Sequence, residues 1–132
     1  MYKKFCFALF FSFALNSSFA QENEALVVPK TYIFSWQKAN GDTFEIPVEN
    51  NLKTAMLVKR LDRALMQIML KSLLNSRDFE TFTPEKVTLF SDTDYEVAKI
   101  DFTILGGEEE LIEKTYYFSF DEYGNVFNQL NF

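Results

Sequence analysis

One stretch constrains this chain more than any other. Residues 52–75 contain no proline and no glycine, and their apolar side chains recur with the period of a helix. At about 100° per residue, Ala55, Leu57, Val58, Leu61, Leu65, Met66, Ile68, Met69 and Leu73 fill one continuous arc. Lys53, Lys59, Arg60, Arg63, Gln67 and Lys71 take most of the other side. The pattern predicts one long helix within residues 51–79, with Asn50 or Asn51 placed to cap its start. Met56, Leu70 and Leu74 intrude on the polar side, so the apolar stripe is wider than a one-sided surface helix requires. Either a curved sheet wraps this helix, or part of it meets a partner.

On both sides of that stretch the period changes to two. Residues 26–37 are β-branched and aromatic, "NGD" is a turn signal, and residues 43–48 read as the return strand of a hairpin. Pro29 and Pro47 favour edge positions, because proline cannot donate to a ladder. After the helix, strands are expected at residues 87–90, 95–105 and 111–120, separated by "DTD" and "GGEEE". "DEYGN" is a tight turn that uses Gly124 or Asn125 for a positive φ, and Val126, Leu130 and Phe132 continue the alternation. The whole reads as one α+β domain: a β-hairpin, a long helix and a four-stranded meander. The helix is expected to lie on one face of a curved antiparallel sheet whose other face is partly wet. This layout is similar to the cystatin-like rolls and, more loosely, to hot-dog domains, in which a sheet curls around a central helix. That resemblance implies a fold only, since inhibitors, carriers, adaptors and enzymes share it.

The first twenty residues read as an address. Lys3 and Lys4 precede an apolar run over residues 5–15, too short to span a bilayer, and "NSSFA" places small Ser18 and Ala20 before a signal-peptidase cut at Gln21. The domain is then residues 21–132, exported to a bacterial periplasm or medium. The single cysteine, Cys6, lies in the leader, so the remainder cannot be a disulfide scaffold. Losing Lys3 and Lys4 takes 13 basic residues to 11 against 19 acids, and the net charge from −6 to −8. Such a balance argues against binding to nucleic acid or anionic membranes. No further apolar stretch is long enough for a membrane span.

The sequence contains no histidine, which removes His-based triads and His-assisted zinc sites. No serine has a nucleophile context, and Gly106-Gly107 precedes three glutamates that would repel a phosphate. "DTDYE" alternates carboxylates like calcium ligands but lacks the glycine and the distal glutamate of a full loop, so it reads as a solvated turn. No catalytic residue, cofactor or metal is expected.

Two sets of residues are candidates for binding. Lys59, Arg60 and Arg63 belong to a basic segment: five basic residues and one acid from Lys53 to Lys71 leave the rest of the processed chain at −12. With Met56, Leu70 and Leu74 they form a candidate partner surface. Asp62, Trp36 and Tyr116 are the candidate lining of a pocket between helix and sheet. Asp62 falls between Val58, Met69, Ala55 and Leu73 on the apolar arc, and three readings compete for it. The favoured one pairs it with Lys59 at the core's edge; the others give it a structural hydrogen bond to a tyrosine or backbone amide, or a role in the pocket. The functional expectation is a small exported, non-enzymatic protein that works by protein–protein contact, as an inhibitor, an adaptor or an envelope-assembly subunit, in a hetero- or homo-oligomer. The alternative is a carrier of a small apolar ligand.

Overall fold

A computed structural model describes residues 26–130. The expected leader, its cut, and Phe132 lie outside the described residues. The elements run β1 (Thr31–Gln37), β2 (Thr43–Asn51), α1 (Val58–Ser76), β3 (Thr83–Ser91), β4 (Glu96–Leu105), β5 (Leu111–Phe120) and β6 (Val126–Leu130). The strands form one six-stranded sheet in sequence order. Its neighbours pair antiparallel except β2 and β3, which run parallel over Val48–Asn51 and Val87–Phe90. A wholly antiparallel sheet was expected. The exception follows from the helix, which carries the chain back so that β3 enters in the direction of β2.

The helix is shorter than its sequence pattern. It holds 19 residues, starts after Leu57 without a side-chain cap, and ends at Arg77, whose φ is 60°. β2 takes the residues that looked like a helix start, because pairing with β3 holds the backbone extended through Asn51. Asn50 does not cap the helix. Its side chain accepts from Leu52 N–H and donates to the Val28 carbonyl, closing the end of β2. The first helical N–H, that of Val58, bonds instead to Leu26 O, and Val28 N–H bonds to Met56 O. An incoming chain segment thus satisfies a donor that a cap would have taken.

One face of the sheet carries the core. Phe34 and Trp36 of β1, Ile46 and Val48 of β2, Val87 and Leu89 of β3, Ala98, Ile100 and Phe102 of β4, and Phe118 and Phe120 of β5 are buried there with Leu61, Ala64, Leu65, Ile68 and Met69 of α1. The helix touches β1 near one edge of the sheet and β5 and β6 near the other, so the sheet reaches it from both sides. Each fully buried large side chain removes apolar surface worth about 1.5–3 kcal/mol. The opposite face is hydrogen-bonded and largely wet: Ser35 donates to Glu45, Lys86 pairs with Glu49 at 3.0 Å, and Thr115 donates to Asp101. Pro47, expected at an edge, stands on an inner strand. It tolerates the place because the N–H it lacks would point away from β1, and the ladder to β3 begins only at Val48.

Three hairpins share one turn. In residues 38–42, 106–110 and 121–125 the fourth residue's N–H bonds to the first carbonyl, and the first N–H bonds to the fifth carbonyl. This is the three-residue loop that needs a left-handed fourth residue. Gly41 (φ 100°), Glu109 (φ 62°) and Gly124 (φ 89°) occupy it. In "GGEEE", therefore, a glutamate rather than either glycine takes the strained position. A non-glycine residue there costs about 1–2 kcal/mol, so Glu109→Gly is expected to raise stability by up to about 1 kcal/mol after the added freedom of the unfolded chain is subtracted. Chemical denaturation should show a higher midpoint for Glu109→Gly and no gain for Glu109→Ala.

Candidate functional site

The helix leaves part of its apolar girth uncovered. Met66, Leu70 and Leu74, spaced four apart, are 53%, 54% and 54% exposed along its outer side. Beside them, Met66, Gln67, Leu70 and Leu73 form one wall of an open groove of about 480 Å³ whose other wall is Trp36, Gln37, Lys38 and Ala39. A second hollow of about 290 Å³ continues it past Leu73 and Ala39 to Phe79, itself 54% exposed. Apolar surface thus runs from the outer ridge of α1 down to the end of β1.

Two buried residues of the β1 wall are fixed in place. Trp36, the sole tryptophan, stacks on Phe44 at 5.8 Å and meets the edge of Phe82 at 5.9 Å. Phe82 continues to Phe102, and Phe102 to Tyr116 and then Phe118, in a row of rings that crosses the core. Lys38 is only 5% exposed. Its ammonium donates to the carbonyls of Phe79, Glu80 and Phe82 at 3.0, 3.1 and 2.9 Å and lies 5.5 Å from the centre of the Phe44 ring. It therefore ties the chain leaving the helix to the β1–β2 turn. Sequence reading passed it over, because a lysine beside "NGD" looks like any solvated turn residue.

The expected partner residues separate in space. Leu70 and Leu74 are on the ridge. Met56 is not: it precedes the helix and is buried at 4%, drawn inward where its carbonyl accepts from Val28 N–H. Met66, expected on the buried arc, takes its place in the exposed row. Lys59 is exposed. Arg60 and Arg63 hold the β5–β6 turn rather than rimming a groove. The Arg60 guanidinium lies 5.1 Å from the centre of the Tyr123 ring, and Arg63 donates to the Tyr123 carbonyl at 3.2 Å. The three candidate pocket residues have different neighbours: Asp62 bonds to Tyr32, Trp36 packs on Phe44 and Phe82, and Tyr116 packs on Phe102 and Phe118.

The Tyr32 hydroxyl donates to Asp62 Oδ1 at 2.7 Å, joining the second turn of α1 to β1. This is the structural hydrogen bond to a tyrosine that one of the three readings gave the aspartate. Burial of the phenol, its bond to Asp62 and the negative charge of that carboxylate all push the Tyr32 pKa upward. The fold favours the neutral phenol. Its contribution is whole below about pH 10, where an unfolded tyrosine begins to ionise, and is lost as the pH climbs toward the raised folded value. Tyr32→Phe is expected to cost about 1–2 kcal/mol at neutral pH and to flatten the alkaline fall in stability, as urea titrations at pH 7 and above pH 10 would show.

At the far end of the helix, a polar cleft of about 410 Å³ brings the "DTDYE" turn against the β5–β6 turn, with Lys53, Asp92, Asp94, Glu96, Asp121 and Glu122 among its walls. Asp121 is occupied by its own turn, accepting from the N–H groups of Tyr123 and Asn125.

Among the described residues no helix is long and apolar enough to cross a membrane. No family model matches this chain, and no curated protein or solved structure matches it significantly.

Proposed function

We propose that this is a small exported, non-enzymatic protein that works by protein–protein contact, and that the contact is made by the ridge of Met66, Leu70 and Leu74 with the groove beside it. The observation that carries the reading is that ridge: three large apolar side chains, each more than half exposed, contiguous with an apolar groove. Covering them with a partner would contribute about 1–2 kcal/mol each, in proportion to the area they still expose. Export rests on the leader pattern, and the absence of catalysis on a chain with no histidine and no cysteine beyond Cys6. The cystatin-like roll is the finer fold reading, and the helix's contacts with strands near both edges of the sheet support it.

The carrier reading is weaker. It needs aromatic side chains lining a space between helix and sheet, whereas Trp36, Phe82, Phe102, Tyr116 and Phe118 pack on one another. Native mass spectrometry of the protein purified from its own cells separates the two. A protein complex that is lost in Leu70→Glu supports contact; a small-molecule adduct that survives Leu70→Glu supports a carrier. Export has its own expected outcome. The purified chain should begin at Gln21, open or cyclised to pyroglutamate, and N-terminal sequencing that finds Met1 on exported material contradicts it.

A further inference from the structure

Among the described residues no strand pairs with the outer edge of β1, which lies beside the groove and is built to take another strand. Lys38 N–H bonds to Asp42 O, and Asn50 N–H to Lys30 O, which makes the even-numbered residues of β1 the ones bonded to β2. By the alternation of an antiparallel ladder, the N–H and C=O groups of Thr31, Ile33, Ser35 and Gln37 point outward. Edge strands of soluble proteins are commonly blunted by charge, proline, a bulge or shortness. The opposite edge, β6, has five residues and joins its neighbour through a register shift at Ser119 and Phe120. β1 has seven residues, "TYIFSWQ", with no charge, no proline and an unbroken register to β2. Ile33, 53% exposed, stands in the middle of it.

We propose that the partner of this edge is a second copy of the chain, its β1 running antiparallel to the first about a twofold axis at Phe34. This rests on the protein-contact reading above and names its partner. Three features favour a copy over a foreign strand. In this register Thr31 faces Gln37 of the second copy and Ile33 faces its Ser35, so every outward donor and acceptor of the edge meets its complement. A strand without charge meets no repulsion from its own kind, although each processed chain carries −8 in total by the count above. The groove wall takes in Trp36 and Gln37 at the end of β1 and the Lys38 and Ala39 that follow, so a strand added to this edge adjoins Met66 and Leu70, and one partner accounts for the bare edge and the bare ridge together.

Sedimentation equilibrium of the purified protein over a concentration series, with two sets of variants, tests this. The parent is expected to dimerise. Ile33→Pro removes an N–H that points away from β2 and should leave a folded monomer; Ile33→Lys, which keeps that N–H, should weaken the dimer by charge. Mixing Ile33→Cys with Ser35→Cys chains should give a disulfide between the two kinds in preference to either with itself, since directly opposed residues lie within bridging distance. A parent that stays monomeric throughout, a dimer unchanged by both Ile33 variants, or no preference for the mixed disulfide overturns the proposal. A different protein held at Leu70 would then leave the contact reading standing, while a monomer with no protein partner would remove both.

Discussion

Gly124→Ala is expected to lower the stability of the domain by at least about 3 kcal/mol, or roughly 12 °C or more in Tm for a chain of this size. Two causes act at one atom. The residue holds a φ of 89°, which costs a side-chain-bearing residue about 1–2 kcal/mol. In addition, a Cβ there would stand 2.3 Å from the carbonyl oxygen of Arg60 and 3.1 Å from its carbonyl carbon. Both are backbone atoms of α1 and cannot swing aside. The β5–β6 turn would have to lift off the helix, taking with it the Arg60–Tyr123 stack and the bonds from Arg63 and Gln67 to Tyr123 and Gly124. Gly41 supplies the control. It occupies the same position of the same turn with a φ of 100°, yet nothing lies within 4 Å of its added Cβ. Gly41→Ala should therefore cost only the conformational part. Equal losses for the two variants, measured by urea denaturation, would show that the turn does not seat against the helix as described.

Lys38→Met should cost about 2–4 kcal/mol. Methionine fills much the same volume, so the loss isolates the ammonium and its three carbonyl acceptors, of which Phe82 O is buried. Without it, residues 79–82 lose their tie to the β1–β2 turn, and the β1 wall of the groove loosens. Trp36 reports this directly, because its indole packs on both Phe44 and Phe82. Its emission should shift to the red before global unfolding in Lys38→Met but not in the parent. Unchanged stability and emission would mean that the carbonyls find water at no cost.

Periodicity carried most of what could be read without coordinates, and it failed where distant segments compete. β5 is found at Leu111–Phe120, the residues whose alternation marks it, and Gly124 rather than Asn125 takes the left-handed place in its turn. Residues 52–57 match a helical period yet precede the helix, because β2 keeps its pairing with β3 through Asn51 and the bonds of Leu26 and Val28 to Val58 and Met56 then hold the chain up to the first turn. Met56 was misplaced for the same reason. Which tyrosine reaches Asp62, and the burial of Lys38, are illegible in a different sense: each depends on a partner about thirty or forty residues away, and no local pattern marks a lysine for burial. The ridge was half visible. Leu70 and Leu74 stood out on the polar side of the wheel, but Met66, at the margin of the apolar arc, is also left half exposed.

If the outer ridge of α1 and its groove form the contact surface, another protein lies within reach of position 70. Site-specific photo-crosslinking in the living cell tests it most directly, with the photoreactive side chain placed at position 70 and, separately, at Glu113 on the wet face of the sheet. Protein adducts are expected at position 70, homomeric or heteromeric, and none at position 113. Adducts at 113 with none at 70, or no protein adduct at either, would contradict it.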